Sequence, residues 1–403
     1  MTHIAVIGAG QAGASLVAKL RTQGFDGDIT LLGEEPEPPY QRPPLSKAYL
    51  LGDIPKERLY LRPLDFYEDQ KITLRLGCRV KAINANDKII DLGDQILHYD
   101  MLALTTGSRP RRLPDDIGGG LSGVHTVRNL ADVDRIMPGF QAGKKILIVG
   151  GGYIGLEAAA VAAKKGQHVT LIEMADRILK RVAAPQTSDY FRTLHQSHGV
   201  DLREGVGLKA LTGDDTVTGV QLADGSYIKA DMAIVGVGVE PCSQLAEQAG
   251  LILENGIRVD AQGQTSDPFI WAAGDCASLP YRGARIRLES VQNAIDQAEA
   301  VACNMLGAQI DYDPKPWFWS DQYDVKLQIA GLNLGYDAVV VRPSDTRDGQ
   351  SHWYYAGNTL LAVDAMNDAR NYMIGKRLIE AGKSPAPDII SNPDTDMKAL
   401  LRG

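Results

Sequence analysis

Two stretches of the chain repeat one order of apolar run, glycine cluster and helical spacing. Residues 4–7 form a short apolar run that predicts a buried parallel strand, and residues 14–20 follow with apolar positions at helical spacing. Residues 146–149 and 156–165 repeat that order in the middle of the chain. A second apolar run follows each helix, at residues 29–32 and 168–172. The pattern predicts an α/β fold with two Rossmann-like units.

Other apolar runs extend these two units. Residues 101–104 and 233–235 are continuous apolar runs that predict further buried strands, and residues 288–306 have the spacing of a long amphipathic helix. Residues 72–83 and 89–97 predict antiparallel strands, because turn residues interrupt them near positions 86 and 93.

The pattern changes from residue 311 onward. Short runs there predict antiparallel strands at residues 317–319, 325–332, 338–341, 351–355 and 359–363. Helical spacing follows at residues 368–381 and 396–402. This part of the chain is predicted to form a third, smaller α+β domain.

Two stretches indicate where the chain crosses between domains. Residues 109–123 are rich in proline and glycine, and the strand at residues 233–239 runs into a second such crossing. These positions predict three domains. They are a discontinuous nucleotide-binding domain at residues 1–109 and 240–309, a second nucleotide-binding domain at residues 110–239, and the α+β domain at residues 310–403.

The first glycine cluster has the spacing of a dinucleotide-binding turn. Gly8 permits the tight turn after the strand, Gly10 lets a pyrophosphate approach the backbone, and Gly13 lets the helix pack close to the strand. Free N–H groups at the helix start attract phosphate. Glu34 follows the second strand and is placed to accept hydrogen bonds from a ribose. The alternative is a glycine-rich turn in another α/β fold, but strand, glycines, helix and acid in this order favour the dinucleotide site.

The second cluster repeats these features. Gly150, Gly152 and Gly155 follow the strand in the same spacing, and Glu173 ends the next strand. Because both copies carry all four features, two nucleotide sites are predicted rather than one.

Composition argues against nucleic acid as a partner and for a cytoplasmic location. The formal charge is −8, so a basic nucleic-acid surface is not expected. No apolar run approaches the roughly 20 residues of a membrane span, and the first strand begins within four residues of Met1, so we expect a cytoplasmic protein without a signal peptide. The four cysteines are widely scattered and predict neither a redox disulfide nor a metal cluster.

A proline-rich loop follows the first Rossmann-like unit. Four prolines between residues 38 and 47 prevent a regular helix before Lys47. Apolar residues at 45 and 49–51 anchor the loop, so it is predicted to be rigid and to present Arg42 and Lys47.

Four motifs together resemble one family. They are RPPLSK at residues 42–47, GGGYIGLE at residues 150–157, GDC at residues 274–276 and WFWSDQ at residues 317–322. The chain resembles, over essentially its whole length, the flavin-dependent pyridine-nucleotide reductases of the glutathione-reductase superfamily, and within them the ferredoxin reductases of oxygenase systems. The resemblance implies a glutathione-reductase-like fold, non-covalent FAD in the first nucleotide site and NADH in the second.

The resemblance also implies roles for individual residues. The FAD site would comprise Gly8, Gly10, Ala12, Gly13, Glu34, Arg42, Lys47, Val80, Arg128, Asp275 and Val291. The NAD site would comprise Gly150, Gly152, Tyr153, Ile154, Gly155, Glu173, Arg181 and Gly238. The residues implied to take part in catalysis are Lys47, Glu157, Tyr153 and Trp319, and no metal site is implied.

Three of the implied catalytic roles, those of Glu157, Tyr153 and Trp319, have plainer alternatives. Glu157 would pair with Lys47, or it is a solvated charge on a helix. Tyr153 would gate the nicotinamide site, or it only packs. Trp317 and Trp319 open the third domain; one of them is expected to anchor the domain junction, and Trp319 is the candidate for the electron exit.

The implied reaction is hydride transfer from NADH to FAD, followed by single electrons to a [2Fe-2S] ferredoxin that feeds an oxygenase such as a cytochrome P450. Disulfide reductases and NADH oxidases of the superfamily carry cysteine on the loop where residues 40–47 contain none. Electrons would therefore leave without a protein thiol. The alternatives are an NADH oxidase that uses O₂ or a quinone, and a redox-switched interaction protein that resembles apoptosis-inducing factor.

The expected partner surface is mainly apolar. Residues 310–403 carry ten Lys and Arg against thirteen Asp and Glu, so broad electrostatic attraction of an acidic ferredoxin is not expected. Local cations are candidates for its docking, namely Arg285, Arg287, Lys326 and Arg370. A monomer is expected.

Overall fold

The computed structural model describes residues 1–344 and 349–402. These residues form two compact units. Unit 1 comprises residues 1–41, 56–109 and 239–316, and unit 2 comprises residues 42–55, 110–238 and 317–403. The unit boundaries at residues 109–110 and 238–239 coincide with the two predicted chain crossings. The division into three domains stays a prediction.

Unit 1 is built on a five-stranded parallel sheet. In spatial order its strands are Ile270–Ala272, Met101–Leu104, His3–Ile7, Asp28–Leu32 and Ile72–Arg75. Ile4 and Val6 face the helices Gln11–Thr22 and Val291–Met305, whereas Ala5 and Ile7 face the opposite side of the sheet. Strand alternation therefore buries both faces, as the continuous apolar run predicted.

The remaining elements of unit 1 are short. Its other strands are Ala82–Asn84, Ile89–Asp91, Ile96–His98, Ser108–Pro110, Val239–Pro241, Ile257–Arg258, Ala277–Tyr281 and Ala284–Ile286. Its short helices are Lys56–Leu59, Leu64–Asp69 and Gln244–Gln248.

Unit 2 contains a second five-stranded parallel sheet. In spatial order its strands are Asp201–Glu204, His168–Glu173, Lys145–Val149, Met232–Val235 and Val124–His125. An antiparallel layer packs on Leu147, Val149 and Ile172; its strands are Leu208–Thr212, Gly219–Leu222 and Tyr227–Lys229. The helices of this part are Pro43–Ser46, Ala48–Leu51, Asp115–Ile117, Leu130–Ile136, Met137–Gly139, Tyr153–Lys164 and Pro185–Ser197.

The end of unit 2 is a five-stranded antiparallel sheet, as the α+β prediction requires. In spatial order its strands are Trp317–Gln322, Val325–Gly331, Thr359–Met366, Gln350–Ala356 and Ala338–Pro343. Trp353 and Val363 bury one face of this sheet against Ile374 and Leu378 of the helix Ala369–Glu380.

Two local predictions differ from the structure, and one short helix was missed. Ile72–Arg75 pairs in parallel with Asp28–Leu32, because a sequence pattern shows which residues are apolar but not which strand lies beside them. The helix predicted at residues 396–402 is only the 3₁₀ turn Ala399–Leu401, since so short a segment cannot offset the entropy of helix nucleation. The helix Pro387–Ser391, which begins with proline at its first position, was not predicted.

No helix among the described residues has both the length and the apolar content needed to span a bilayer.

Candidate functional site

The first glycine turn lies in unit 1, between the strand His3–Ile7 and the helix Gln11–Thr22. Gly8 has φ +116°, and a Cβ atom there would lie 2.2 Å from the Thr105 carbonyl oxygen. A Cβ on Gly13 would lie 2.0 Å from the Gly8 carbonyl oxygen. A Cβ on Gly10 would meet no atom within 4 Å, although Gly10 caps the helix. Two glycines are thus required by the fold. The third leaves open space beside helix N–H groups that have no side-chain cap, as a pyrophosphate site requires.

Unit 2 repeats this geometry before the helix Tyr153–Lys164. Gly150 has φ +105°, and its Cβ would lie 2.4 Å from the Gly236 carbonyl oxygen. A Cβ on Gly155 would lie 2.1 Å from the Gly150 carbonyl oxygen, whereas a Cβ on Gly152 would meet nothing within 4 Å. The second turn therefore also leaves open space at a helix start without a side-chain cap, as a phosphate site requires.

The two strand-end acids differ in their surroundings. Glu173 is the last residue of its strand and accepts hydrogen bonds from Gly151 N at 2.7 Å and Ala175 N at 2.8 Å. Glu34 lies one position beyond Gly33, keeps 68% of its side chain exposed, and lies 3.5 Å from Arg79 Nε. The carboxylate of Glu173 is held in place by the backbone, whereas that of Glu34 is held only by a surface ion pair.

Several predicted FAD residues lie in unit 1 at the ends of strands and helices. A Cβ on Gly274 would lie 3.1 Å from the Cβ of Ala12. The Ala12 side chain therefore packs close to the backbone of the GDC turn. Asp275 accepts a hydrogen bond from Ser108 Oγ at 2.8 Å. Val291 is the first residue of its helix, whose Ser290 cap accepts from Asn293 N rather than from Val291 N.

One predicted FAD residue has a different environment. Val80 is 9% exposed and belongs to the apolar core on one face of the sheet of unit 1. Its side chain therefore serves packing, and any contact of Val80 with adenosine would use its backbone. Its role at the cofactor stays a prediction.

The proline-rich loop belongs to unit 2, where it forms the turn Pro43–Ser46 and the helix Ala48–Leu51. Arg42 donates from Nη1 to the Arg128 carbonyl oxygen at 2.8 Å, which joins two residues of the predicted FAD site. Tyr49 donates to Asp134 Oδ1 at 2.8 Å. These bonds fix the loop that presents Lys47.

Lys47 and Glu157 form an ion pair in unit 2. Lys47 Nζ lies 2.8 Å from Glu157 Oε2, and Glu157 is 4% exposed. Glu157 also accepts from Ser46 Oγ and Ser320 Oγ, both at 2.6 Å. Glu157 is therefore not a solvated helix charge. Neither serine was predicted to take part in the site, although both lie inside the motifs that indicated the family.

Tyr153 begins the helix that carries Glu157. Its ring meets Phe318 edge to face at a centroid distance of 5.6 Å. Its hydroxyl is buried with no hydrogen-bond partner among the described residues, and burial raises the pKa of Tyr153 well above its usual value. The neighbouring Ile154 is 42% exposed. The packing explains the ring position, whereas the gating role stays a prediction.

Two residues implied at the NAD site lie next to each other. A Cβ on Gly238, which has φ +100°, would lie 3.4 Å from Arg181 Nη2. The Arg181 side chain thus passes over a backbone position that only glycine adopts easily. This places a cation in the nucleotide-binding part of unit 2, where a pyrophosphate would need one.

The strand Trp317–Gln322 separates two groups of side chains by simple alternation. Trp317 and Trp319 lie on one face, stacked at a centroid distance of 5.8 Å, and Trp317 packs against the cluster of Ala330, Ala365 and Tyr372. Phe318, Ser320 and Gln322 lie on the other face. Trp317 therefore packs within the antiparallel sheet and its helix. Its role as the anchor of the domain junction, and that of Trp319 at the electron exit, stay predictions.

Two of the predicted docking cations are already engaged within unit 1. Arg285 donates to the Val259 carbonyl oxygen at 2.7 Å and lies 3.3 Å from Glu254. Arg287 donates to the Asp275 carbonyl oxygen at 3.2 Å and pairs with Glu289. Both side chains are mostly buried, so they support the fold and offer little charge to a partner. Arg347, which contributes to the charge count, lies outside the described residues.

A buried polar cluster in unit 2 was not predicted. Thr187 donates to Asp364 Oδ2 at 2.8 Å and lies 2.7 Å from His352 Nδ1, and Tyr354 also donates to Asp364. Burial raises the pKa of Asp364 to about 6 and lowers the pKa of His352 to about 4. These residues are far apart in sequence and belong to no local motif.

Comparisons with known proteins agree with this architecture. Residues 2–298 match the pyridine nucleotide-disulphide oxidoreductase family, and residues 317–401 match the reductase C-terminal family. A ferredoxin–NAD(P)(+) reductase from Sphingomonas sp is 44% identical, with 99% of this chain and 98% of that protein aligned. Putidaredoxin reductase from Pseudomonas putida is 39% identical, with 99% and 96% aligned.

Solved structures show the same likeness. The covalent putidaredoxin reductase–putidaredoxin complex matches with a TM-score of 0.95 at 38% identity, over 100% of this chain and 98% of that one. The ferredoxin reductase for the CYP199A2 system from Rhodopseudomonas palustris matches with a TM-score of 0.95 at 38% identity, over 100% of both chains. With two glycine cradles and a matching sequence throughout, the chain belongs to the ferredoxin reductases of the pyridine nucleotide-disulphide oxidoreductase family, flavin-dependent oxidoreductases that use FAD and NAD(P)H.

Proposed function

We propose that this protein is an NADH-dependent reductase of a [2Fe-2S] ferredoxin, which in turn feeds an oxygenase such as a cytochrome P450. Relatives that are 39–44% identical over nearly the whole chain are named as reductases of ferredoxin or putidaredoxin. A solved structure that resembles this chain contains a reductase joined to putidaredoxin. The partner class is transferred from these proteins.

Two observations carry the proposal: the loop that presents Lys47 contains no sulfur, and Lys47 pairs with Glu157 of the helix Tyr153–Lys164. Residues 40–47 contain no cysteine, and Lys47 Nζ lies 2.8 Å from Glu157 Oε2 in the same unit. A thiol relay therefore has no residue to use in this loop. Direct electron transfer to an external redox protein needs no such relay, because it needs only an accessible edge of the cofactor.

The chain contributes binding and charge to this reaction. When bound, FAD supplies the chemistry that accepts a hydride from NADH and gives up electrons singly. The uncapped helix starts at Gly10 and Gly152 bind the two pyrophosphates. Lys47 places a positive charge at the flavin and so favours its reduced form, while Glu157 fixes the position of that charge. Trp319 lines the route to the partner.

Glu173 accounts for a preference for NADH. Its carboxylate is fixed by two backbone N–H groups, so it can accept from ribose hydroxyls without moving. A 2′-phosphate would meet this like charge at close range. Discrimination on the order of a hundredfold would correspond to about 2.7 kcal/mol.

The proposal includes a monomer in a reducing compartment, the cytoplasm. The four cysteines all fall within the described residues and form no disulfide. Reduced thiols are typical of that compartment.

Reconstituted electron transfer tests the function. Purified protein should bind FAD without covalent attachment, and it should reduce cytochrome c with NADH only when a [2Fe-2S] ferredoxin is added. Ferricyanide, which needs no docking, is the control for flavin reduction. If ferricyanide turns over but no ferredoxin from several oxygenase systems does, and oxygen is consumed instead, the protein is an oxidase and the proposal is wrong.

A further inference from the structure

Glu157 is the end point of a longer hydrogen-bond chain in unit 2. Ser320 donates to Glu157 Oε1 at 2.6 Å, and Gln322 Nε2 donates to Ser320 Oγ at 3.2 Å. Gln322 Oε1 lies 2.8 Å from His195 Nε2, and His195 Nδ1 lies 3.2 Å from Tyr323 Oη. Ser320, Gln322 and His195 are completely buried. The ion pair at Lys47 is therefore connected to a helix that begins 28 residues after Glu157.

Each donated proton in this series of hydrogen bonds points toward Glu157. Because Gln322 Nε2 donates to Ser320, its Oε1 faces His195 and can only accept, so His195 Nε2 carries a proton. In a neutral ring Nδ1 then accepts from the Tyr323 hydroxyl. Since Ser320 receives the bond from Gln322 Nε2, its single proton is directed to Glu157.

The groups around His195 support its neutral form. Burial lowers the pKa of His195 to about 4. Its ring is hydrogen-bonded to Gln322 and Tyr323, and no carboxylate of the described residues hydrogen-bonds to it. His198, on the same helix, stacks on the Tyr323 ring at a centroid distance of 3.6 Å. A neutral imidazole has one donor and one acceptor, which is what this chain requires.

Backbone strain marks the far end of the chain. Tyr323 has φ +57°, in the turn that joins the strands Trp317–Gln322 and Val325–Gly331. A bulky residue with positive φ is an outlier that surrounding contacts must maintain. Here the conformation brings the Tyr323 ring to 5.2 Å from His195, edge to face.

We propose that His195 and Gln322 are positioning residues that act through Ser320 to hold Glu157, and hence Lys47, in the geometry that favours the reduced flavin. The inference rests on the proposed function in one respect, namely that Lys47 lies at the flavin. It adds that part of the electrostatic control of the flavin comes from buried residues of another helix. If the Ser320 hydroxyl no longer points at Glu157, the carboxylate keeps only Ser46 and Lys47 among its donors in the described residues. The less compensated negative charge of Glu157 then acts more strongly on Lys47.

The test compares the FAD midpoint potential of holoenzyme variants. Lys47→Met sets the full effect: reduction of the flavin becomes less favourable by at least tenfold, which is about 30 mV for two electrons. His195→Phe keeps an aromatic ring but removes the Nε2 donor, and Ser320→Ala removes the donor to Glu157. Both are expected to shift the equilibrium in the same direction as Lys47→Met by about threefold.

Two further variants separate positioning from packing. His195→Gln places an amide N–H close to the position of Nε2 and should restore the potential toward that of the natural protein. Ser197→Ala lies on the exposed side of the same helix and should leave the potential unchanged. A purely structural role of His195 would lower thermal stability in His195→Phe without moving the potential.

A readout on the natural protein does not depend on folding of the variants. In ¹⁵N-histidine-labelled holoenzyme at pH 7, NMR should show His195 neutral with its proton on Nε2. A proton on Nδ1, or a protonated ring, would overturn the inference. So would an unchanged potential in both His195→Phe and Ser320→Ala when Lys47→Met does shift it. An unchanged potential in Lys47→Met would instead refute the placement of Lys47 at the flavin, and the inference with it.

Discussion

The two nucleotide-binding units contain nearly the same turn but very different interiors. In unit 1 the described buried polar side chains on and around the sheet are neutral, namely Thr30, Thr105, Ser108, Ser278, Asn293, Gln297 and Asn304. The most deeply buried described side chains of the Asp, Glu, Arg and His types all lie in unit 2, namely Asp132, Glu157, His195, Arg342, His352, Asp364 and Asp368, whereas Arg285 and Arg287 of unit 1 keep 20% and 10% of their side chains exposed. Burying such groups is unfavourable unless each is paired, so unit 2 maintains interactions that unit 1 does without.

The turns themselves differ at one pair of positions. Unit 1 has Ala9 in the turn and Gly33 at the strand end, and a Cβ on Gly33 would lie 2.8 Å from the Cβ of Ala9. Unit 2 has Gly151 in the turn and Glu173 at the strand end, and they hydrogen-bond. In each unit, therefore, only one of these two positions, the turn or the strand end, carries a side chain. Unit 1 shapes its site mainly by close packing, whereas unit 2 adds fixed charge.

The largest effect is expected where the two turns are the same. Gly13→Ala and Gly155→Ala each place a Cβ about 2 Å from a backbone oxygen, and neither neighbour can yield without moving its strand. We expect a loss of about 3 kcal/mol in stability for each. Gly13→Ala should abolish FAD retention, whereas Gly155→Ala should keep FAD and lose NADH turnover, as flavin absorbance and steady-state kinetics will show. Loss of FAD in both variants would mean that the two turns do not act on separate cofactors.

The interiors should respond differently to acid. The pKa values of His195 and His352 are lowered from 6.5 to about 4, so their neutral forms stabilise the fold above pH 6.5, and this stability is lost as the pH falls toward 4. The pKa of Asp364 is raised from 3.8 to about 6, which has the opposite sign and offsets one histidine. The net loss is about 3 kcal/mol between pH 6.5 and 4.

Hydrogen exchange at pH 7 and pH 4.5, corrected for intrinsic rates, will locate this loss. Amides of the antiparallel sheet in unit 2 should lose protection, while those of the parallel sheet in unit 1 should not. His195→Gln cannot gain a proton at this position, so it should reduce the difference. Equal loss in both units would assign acid sensitivity to surface carboxylates.

The sequence predicted the parts of each site that depend on local spacing. Gly8, Gly13, Gly150 and Gly155 could be assigned because each is required by a turn a few residues long. The Lys47–Glu157 pair came from resemblance to a family, since no local pattern links residues 110 positions apart. Glu34 was named by distance along the chain, yet the structure shows it exposed beside Arg79.

The buried side-chain hydrogen bonds of unit 2 could not be predicted from local spacing in the sequence. His195 meets Gln322 across 127 positions, and Thr187 meets Asp364 across 177. Each is an ordinary polar residue in its own segment, and only the packing of the antiparallel sheet against the helix Pro185–Ser197 brings them together. The parallel pairing of Ile72–Arg75 was missed for the same reason, because a strand's partner is set by tertiary structure.

The two tryptophans that open the antiparallel sheet of unit 2, Trp317 and Trp319, should differ in whether their replacement affects electron transfer or stability. Trp319→Ala is expected to slow ferredoxin reduction by more than tenfold while ferricyanide reduction changes less than twofold, because the small oxidant needs no docked exit route. Trp317→Ala removes an anchor from the cluster with Ala330 and Tyr372 and should mainly lower stability, by about 2 kcal/mol. Because the sequence predicts a mainly apolar docking surface, ferredoxin reduction is expected to fall only modestly between low and physiological salt. Equal slowing of both acceptors in Trp319→Ala would show that this residue supports the flavin pocket.

The smallest effects are expected at the strand-end acids Glu173 and Glu34. Replacing Glu173 in unit 2 should have a larger effect than replacing Glu34 in unit 1. Glu173→Gln removes the charge that a 2′-phosphate would meet but leaves a side chain of the same size in its place. About tenfold of the proposed hundredfold preference should therefore be lost, as a rise in the ratio of kcat/KM for NADPH to that for NADH that is equivalent to about 1.4 kcal/mol. Glu34→Gln removes a carboxylate that is 68% exposed and only 3.5 Å from Arg79, so the Kd for FAD should change by less than threefold. FAD affinity can be measured by fluorescence titration of apoprotein, with Glu35→Gln as the neighbouring variant. A large loss of FAD affinity in Glu34→Gln would show that unit 1, too, relies on a fixed charge at its strand end.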